Sequence, residues 1–178
     1  MITGHVFIAT SLDGYIARKN GDIEWLLQLD LPDENHGYDS FINNIDVIIM
    51  GRGTFETVCD FTPWPYQRPV VVLSSTLAAH TVPEHLVGKV RFSNHEPEKV
   101  MAMLAAQGYK RVYIDGGQVI QSFLKRGLIH DLIITQIPIL LGEGRPLFGP
   151  VPQDISLKHL NTKSFQSGFI QSHYEIIK

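Results

Sequence analysis

Two glycine-bearing junctions constrain most strongly what this chain can fold into. They are Val47-Ile-Ile-Met-Gly-Arg-Gly-Thr-Phe55 and Val112-Tyr-Ile-Asp-Gly-Gly-Gln-Val-Ile-Gln-Ser-Phe-Leu124. In each, a short apolar run typical of a buried strand stops at glycine, and a helical pattern follows. Backbone N–H groups at such a junction attract phosphate, although a glycine there can equally serve only to form a turn. Neither junction has the third glycine of the Rossmann dinucleotide motif.

The rest of the chain alternates in the same way between strand and helix patterns. Pro97 suits the first turn of a helix that Gly108 ends. Towards the end, alternation over residues 170–176 and the turn Gln166-Ser-Gly168 predict a hairpin within residues 155–177. We therefore predict an α/β fold with a mostly parallel central sheet, helices on both faces and a C-terminal antiparallel hairpin. Other expected elements are strands at residues 6–11, 70–73, 90–92 and 131–137, a helix at 38–45 and an irregular stretch at 18–37.

Composition narrows the range of partners and compartments. At 178 residues the chain has the size of one domain, and residues 1–178 are treated as a single unit. A net charge of -3 and basic clusters no longer than pairs leave no electrostatic footprint for nucleic acid or an anionic membrane. Cys59 is the one cysteine and no export leader precedes the first strand, so a cytoplasmic location is expected. The eight histidines lack metal-ligand spacing, so no metal site is expected.

Several segments resemble, in the same order, segments of the dihydrofolate reductase superfamily. The two glycine junctions are similar to its M-G-R-x-T-[WF]-E and I-G-G-G-x-x-Y-x-x-F-L segments, and Val70-Val-Val-Leu-Ser-Ser75 is similar to its strand ending in L-S-S. The opening Phe7-Ile-Ala-Thr-Ser-Leu-Asp-Gly-Tyr-Ile-Ala17 more closely resembles S-L-D-G-x-I-A of the reductase domain in bacterial riboflavin biosynthesis, the RibD C-terminal domain. Leu140-Leu-Gly-Glu-Gly-Arg-Pro-Leu-Phe148 resembles that branch as well.

This resemblance implies a three-layer dihydrofolate reductase-like fold that binds NADPH. It implies that Arg52 faces the 2′-phosphate together with Ser74 or Ser75, and that the glycines of both junctions let the diphosphate approach the backbone. Ala9 and Ile16 match positions beside the nicotinamide, although the sequence alone would place both in the core. The implied cofactor-binding residues are Ala9, Ile16, Gly51, Arg52, Thr54, Leu73, Ser74, Ser75, Gly116, Gly117, Gln118 and Val119.

The substrate side is less well defined by the sequence. Dihydrofolate reductases place an acid on their first long helix after a Pro-Trp pair, but no proline precedes Trp25. Asp115 stands where those enzymes have a glycine, so its side chain must turn away from the phosphates or cap a helix. Arg145 is the one candidate for binding a substrate phosphate, unless it only supports a loop. Weak catalytic candidates are Asp13, Glu24, Trp25 and Asp39, and the competing acids are Asp22, Asp30, Asp33 and Glu34.

Together these patterns favour an NADPH-dependent oxidoreductase that transfers hydride to a C=N or C=O bond of a small heterocyclic or ribosylated pyrimidine substrate. The likeness to the riboflavin branch and the edge offered by the terminal hairpin favour a homodimer. Two alternatives stay open, namely a dihydrofolate reductase proper and a non-catalytic module that binds NADPH. Because the Pro-Trp pair is missing, we expect slow reduction of dihydrofolate.

Overall fold

The structure is a computed structural model that describes residues 1–29, 31, 33–77 and 82–177. Its strands are β1 (Thr3–Ser11), β2 (Tyr15–Ala17), β3 (Val47–Gly51), β4 (Val70–Leu73), β5 (Val90–Ser93), β6 (Arg111–Asp115), β7 (Ile129–Ile137), β8 (Arg145–Pro146), β9 (Leu157–Ser164) and β10 (Ile170–Ile176). Its helices are α1 (Glu24–Leu27), α2 (Tyr38–Asn43), α3 (Arg52–Val58), α4 (Pro97–Ala106) and α5 (Gly117–Lys125), and a 3₁₀ turn covers Glu84–Leu86.

The central sheet has eight strands within the described residues, in the order β5-β4-β3-β6-β1-β7-β10-β9. The strands from β5 to β7 are parallel, whereas β10 runs antiparallel to both β7 and β9. The predicted fold class is therefore confirmed. Crossovers between parallel strands place helices against the sheet, which is why these strands have nearly continuous apolar sequences.

The apolar core lies on both faces because alternate residues of a strand point to opposite sides of the sheet. On one face Ile49 belongs to a buried cluster with Leu104 of α4 and Phe123 of α5. On the other face Ile48 belongs to a cluster with Phe41 of α2 and residues of α3. The carboxyl ends of β3 and β6 thus emerge between two helical layers, which is where both glycine junctions lie.

A second, two-stranded sheet is formed by β2 and β8. β2 follows the Asp13-Gly14 turn, and the Leu147 N–H donates to the Gly14 carbonyl at 2.9 Å. Neither β8 nor α1 was predicted, since α1 lies inside the segment of residues 18–37 that was expected to be irregular. In the part of the chain that the structure describes, no helix has the length and apolar character needed to cross a membrane.

Candidate functional site

The two glycine junctions contact each other at the carboxyl edge of the sheet. Met50 of β3 is in register with Asp115 of β6, so the residues that follow them lie side by side. A methyl group placed on Gly116 would lie 2.7 Å from Thr54 Oγ1, and one placed on Gly51 would lie 3.1 Å from a methyl carbon of Val119. Gly116 has a φ of +91°, a conformation that side chains rarely adopt. Residues predicted from separate segments therefore form one glycine-lined surface.

Ile16 and β8 close this surface on the α5 side. A methyl group placed on Gly117 would lie 2.8 Å from the Pro146 carbonyl oxygen and 3.0 Å from Ile16 Cδ1. Gln121 of α5 anchors β8, because its Nε2 donates to the carbonyls of Pro146 and Leu147 at 3.1 and 3.2 Å. Gln118 is exposed on the first turn of α5.

Arg52 is held next to the serines that follow β4. Its Nη1 donates to Thr76 Oγ1 at 3.0 Å, and Thr76 Oγ1 lies 3.3 Å from Ser74 Oγ. Leu73 is in register with Gly51, which brings the end of β4 to the first glycine junction, and Ser75 is exposed. A guanidinium and hydroxyl groups at one edge suit a phosphate monoester. Thr76 was not predicted as a site residue, although it directly follows Ser74 and Ser75 in the sequence.

A cavity of about 400 Å³ lies beyond the ends of β4 and β5. It extends the same edge of the sheet towards α4. Its lining residues were not identified from the sequence, because their side chains meet only when β4 and β5 pair. They are Val71, Leu77, Arg91, Phe92, Ser93, Asn94, His95, Val100 and Met103.

Ala9 lies in a third apolar cluster together with Trp25. Trp25 is 3% exposed and packs with Ile137 and Phe169, and Ala9 contacts this group. The Trp25 indole N–H is buried and has no acceptor among the described residues. Trp25 thus supports the strand that carries Ala9.

Asp13 holds a loop together through several hydrogen bonds. Ser11 Oγ donates to it at 2.6 Å, and the N–H groups of Leu141 and Gly142 donate at 3.1 and 2.7 Å. The Ser11 hydroxyl and these N–H groups hold the pKa of Asp13 below its usual value. A carboxylate held ionised in this way does not suit a proton donor.

Two of the other acid candidates are exposed, as Asp13 is. Glu24 is exposed at the start of α1, and Asp39 is exposed on the first turn of α2. Asp22 stabilises the turn before α1, because its carboxylate accepts from the Glu24 N–H at 2.9 Å. Asp30, one of the competing acids, lies outside the described residues.

Asp115 turns towards the face of the sheet that carries α2. It shares this face with Tyr113, two residues earlier on β6, and is therefore directed away from α5. Burial raises the pKa of Asp115 to about 6. The Tyr113 hydroxyl donates its proton to the Phe7 carbonyl at 2.9 Å. The Gly116 N–H and Tyr113 both act to lower the pKa of Asp115, so burial is the cause of the rise.

Tyrosine side chains lie within electrostatic reach of Asp115. Burial and the nearby charges of Asp115 and Asp39 raise the pKa of Tyr38 to about 12. Burial is the main cause that raises the pKa of Tyr66 well above its usual value, and the nearby Asp115 and Tyr38 raise it further. The ring of Trp64 meets that of Tyr66 edge to face, with 5.2 Å between centroids. This cluster could not be predicted from the sequence, because its members come from β6, α2 and the segment after α3.

Arg145, the sequence candidate for a substrate phosphate, lies at the first glycine junction. Its Nε donates to the Lys19 carbonyl at 3.3 Å. Its Nη1 would lie 3.6 Å from a methyl group placed on Gly53. β8 thus holds this guanidinium beside the first turn of α3. Among the described residues, no group of His, Cys, Asp and Glu side chains could hold a metal ion.

The fold and this edge of the sheet together define an α/β domain of the reductase-like class. The family comparison is more specific, since the model of the RibD C-terminal domain matches residues 3–171. The chain belongs to the RibD C-terminal domain family.

Individual relatives agree with this assignment. The uncharacterized protein YwjB of Bacillus subtilis (strain 168) is 34% identical over 171 residues, which cover 95% of this chain and 95% of YwjB. A crystal structure from Shewanella sp. PV-4, provisionally described as a riboflavin biosynthesis protein, is 38% identical with a TM-score of 0.93 and matches 99% of this chain and 100% of that one. Acinetobacter baumannii RibD shares the fold, with a TM-score of 0.72 at 18% identity, and the match covers 99% of this chain and 58% of that one.

Proposed function

We propose that this protein is an NADPH-dependent reductase that transfers hydride to a C=N or C=O bond of a small heterocyclic substrate. The observation that carries the proposal is the meeting of both glycine junctions at the carboxyl edge of β3 and β6, with Arg52, Ser74 and Thr76 beside them. Ligands of open α/β sheets bind outside the carboxyl ends of the strands. Membership of a reductase-like family supports the same reaction class.

The glycine surface fits a dinucleotide diphosphate. The absence of side chains lets Gly116 contact Thr54 and lets Gly117 contact Pro146, which brings the two junctions together where α5 begins, and the N-terminus of a helix favours a phosphate group. Arg52 and Ser74 would hold the 2′-phosphate, and Ile16 would pack against the nicotinamide. When bound, the dinucleotide supplies the hydride, and these residues position it.

Asp115 would supply the proton that accompanies hydride addition. A carboxyl group with a pKa of about 6 is partly protonated near neutral pH and still donates readily. The Gly116 N–H and the Tyr113 hydroxyl fix its position at the end of β6. We assign this role to Asp115 over the weak candidates named from the sequence because Asp13 is held ionised, whereas Glu24 and Asp39 are exposed.

We expect Arg52→Ala to weaken NADPH binding by about 10- to 100-fold and to leave NADH binding almost unchanged. A charge-assisted contact to the 2′-phosphate contributes roughly 1.5–3 kcal/mol, and NADH lacks that group. The measurement is titration calorimetry of both dinucleotides, with Arg126→Ala as a control because Arg126 lies at the far end of α5. An equal loss of affinity for both dinucleotides would show that Arg52 does not bind the 2′-phosphate. Absence of NADPH binding by the unaltered protein would contradict the proposed function itself.

We also propose that the protein forms a homodimer through β9. This strand is at the edge of the sheet and all of it is exposed, including Leu157 and Leu160. An exposed edge strand offers its unpaired backbone groups to another chain, and Leu157 and Leu160 add apolar surface to this one. Light scattering at micromolar concentration should give twice the mass of one chain, and Leu160→Lys should lower it towards one chain. Val87→Lys, at an exposed position away from β9, should leave the mass unchanged. A single-chain mass for the unaltered protein would refute the dimer.

A further inference from the structure

Strand β8 contacts both glycine junctions. At the first junction, a methyl group placed on Gly53 would lie 3.6 Å from Nη1 of Arg145. At the second junction, one placed on Gly117 would lie 2.8 Å from the carbonyl oxygen of Pro146. Pairing with β2, in which Arg145 is the partner of Ala17, holds the short strand in this position. The Arg145 guanidinium group is therefore held at the rim of the glycine-lined surface, beside the first turn of α3.

The loop after β2 orients this guanidinium group. Its Nε donates to the Lys19 carbonyl at 3.3 Å. A methyl group placed on Gly21 would lie 3.3 Å from Nη2 and 3.4 Å from both Cζ and Nη1. Because these three distances are nearly equal, the flat group lies with one face against the backbone at Gly21. These contacts occupy Nε and one face of the group, and they leave both Nη atoms for another acceptor.

Arg145 has no carboxylate partner among the described residues. Glu143, two residues earlier, forms an ion pair with Lys19. Asp22, in the same loop, lies 3.6 Å from Nε of Arg18. The Arg145 side chain is exposed, so water satisfies its Nη donors when no ligand is bound. An oriented guanidinium group with both Nη atoms available suits the oxygens of a phosphoryl group, which it binds through two parallel hydrogen bonds.

The glycine-lined surface has little positive charge of its own. Within the two junctions, Arg52 is the one basic residue. Its Nη1 donates to Thr76 and its Nε lies 3.4 Å from the Glu56 carboxylate, so its guanidinium group is directed to the end of β4. Without a further cation, a diphosphate on this surface would meet neutral N–H groups that leave its two negative charges uncompensated. The Arg145 guanidinium group, beside Gly53, lies where it supplies that charge.

We propose that Arg145 binds the diphosphate of the dinucleotide and is a cofactor-binding residue contributed by β8. The proposal rests on the proposed reductase function and adds a cation to its cofactor site. It replaces the expectation from the sequence that Arg145 binds a phosphate of the substrate. NADPH and NADH carry the same diphosphate, so Arg145 contributes equally to the binding of both, whereas Arg52 distinguishes them.

Calorimetry of Arg145→Ala with NADPH and with NADH, in the absence of substrate, tests this role. Both affinities should fall by about 5- to 50-fold at low ionic strength, where salt screens an exposed cation least. Unchanged affinity for both dinucleotides would overturn the proposal and leave Arg145 to the substrate or to the loop. A loss confined to NADPH would also overturn it, because only the 2′-phosphate differs between the two molecules.

Adenosine 2′-monophosphate separates the roles of the two arginines. This fragment has the 2′-phosphate but no diphosphate. Arg145→Ala should therefore change its affinity by less than about twofold, whereas Arg52→Ala should weaken it by about tenfold or more. A loss of fragment binding in Arg145→Ala as large as the loss of NADH binding would overturn the assignment to the diphosphate.

Arg18→Ala is the matched control, because it removes a guanidinium group from the same loop that already has Asp22 as its partner. It should change the affinity for either dinucleotide by less than about twofold. An equal loss in Arg18→Ala and Arg145→Ala would show that the overall charge of the loop is responsible, and would overturn the role of Arg145. If the unaltered protein binds neither dinucleotide, the proposed function fails. If it binds both and Arg145→Ala binds them equally well, this inference alone fails.

Discussion

Asp115→Asn is expected to raise the free energy of unfolding at pH 8 by about 2–3 kcal/mol. Burial raises the pKa of this carboxyl group from 3.8 to about 6 in the folded protein, and each pKa unit corresponds to about 1.4 kcal/mol. Above pH 6 the folded protein must hold a charge that the unfolded chain holds at lower cost. Asparagine has nearly the same shape and never ionises.

The sign of this effect fixes its pH dependence. Since the folded pKa of Asp115 is raised, its favourable contribution is complete below about pH 4 and is lost as the pH rises through 6. The advantage of Asp115→Asn should therefore vanish near pH 4 and reach its full size above pH 7. Urea unfolding at several pH values measures it, with Asp154→Asn expected to stay within about 0.5 kcal/mol of the unaltered protein. Equal stability of Asp115→Asn and the unaltered protein at pH 8 would show that Asp115 ionises freely.

The same variant should lose reductase activity while it gains stability. Because an amide cannot deliver a proton, NADPH oxidation with a reducible substrate should fall by about 10²-fold or more, whereas NADPH affinity should stay unchanged. A stabilising substitution that removes activity is typical of strained functional groups. Full activity would exclude Asp115 as the proton donor.

Gly116→Ala is expected to destabilise the protein by about 2–5 kcal/mol and to abolish measurable NADPH binding. The φ of +91° strains any L side chain, and the added methyl group would meet Thr54 Oγ1 at 2.7 Å. Displacement of Thr54 would also disturb the surface proposed for the diphosphate. Thr54 is branched at Cβ and cannot move aside easily.

Gly127→Ala is the matched control for this prediction. Gly127 also has a positive φ, of +63°, but nothing lies within 4 Å of an added methyl group. Gly127→Ala should lower the free energy of unfolding by about 1–2 kcal/mol and leave NADPH affinity unchanged. Thermal unfolding and calorimetry of both variants at low temperature provide the comparison. Similar stability losses together with retained NADPH binding in Gly116→Ala would contradict the assigned contact between the two junctions.

The parallel part of the sheet could be predicted because its signals are local. Each of β3, β4 and β6 is an apolar run bounded by polar or glycine residues, and burial on both faces requires such a run. The hairpin of β9 and β10 was visible from alternation around a turn, although β9 begins at Leu157 and not at Ile155. α1 and β8 were missed because they are very short. β8 forms because it pairs with β2 and because Gln121 donates a hydrogen bond to it. Both contacts join residues that are far apart in the sequence.

The candidate site also has one part that could be predicted from the sequence and one part that could not. Its glycine surface follows from motifs whose spacing is local, so Gly51, Thr54 and Gly116 could be named from the sequence. The surroundings of Asp115 could not, because Tyr38 and Tyr66 come from separate segments and meet Asp115 only through folding. The sequence identified Asp115 as a departure from the dihydrofolate reductase pattern and required that its side chain turn away from the phosphates or cap a helix. Its burial and raised pKa needed the structure.

The central claim is that NADPH lies on the surface formed by both glycine junctions, with its reactive ring towards Asp115. A crystal structure with NADPH bound tests it most directly. The account predicts diphosphate oxygens within about 3 Å of backbone N–H groups in residues 51–54 and 116–119 and the 2′-phosphate at Arg52. It also predicts a nicotinamide beside Ile16 that leaves room for a flat ring between its C4 atom and Asp115. A dinucleotide bound elsewhere with both junctions empty, or a nicotinamide whose C4 atom is out of reach of Asp115, would contradict it.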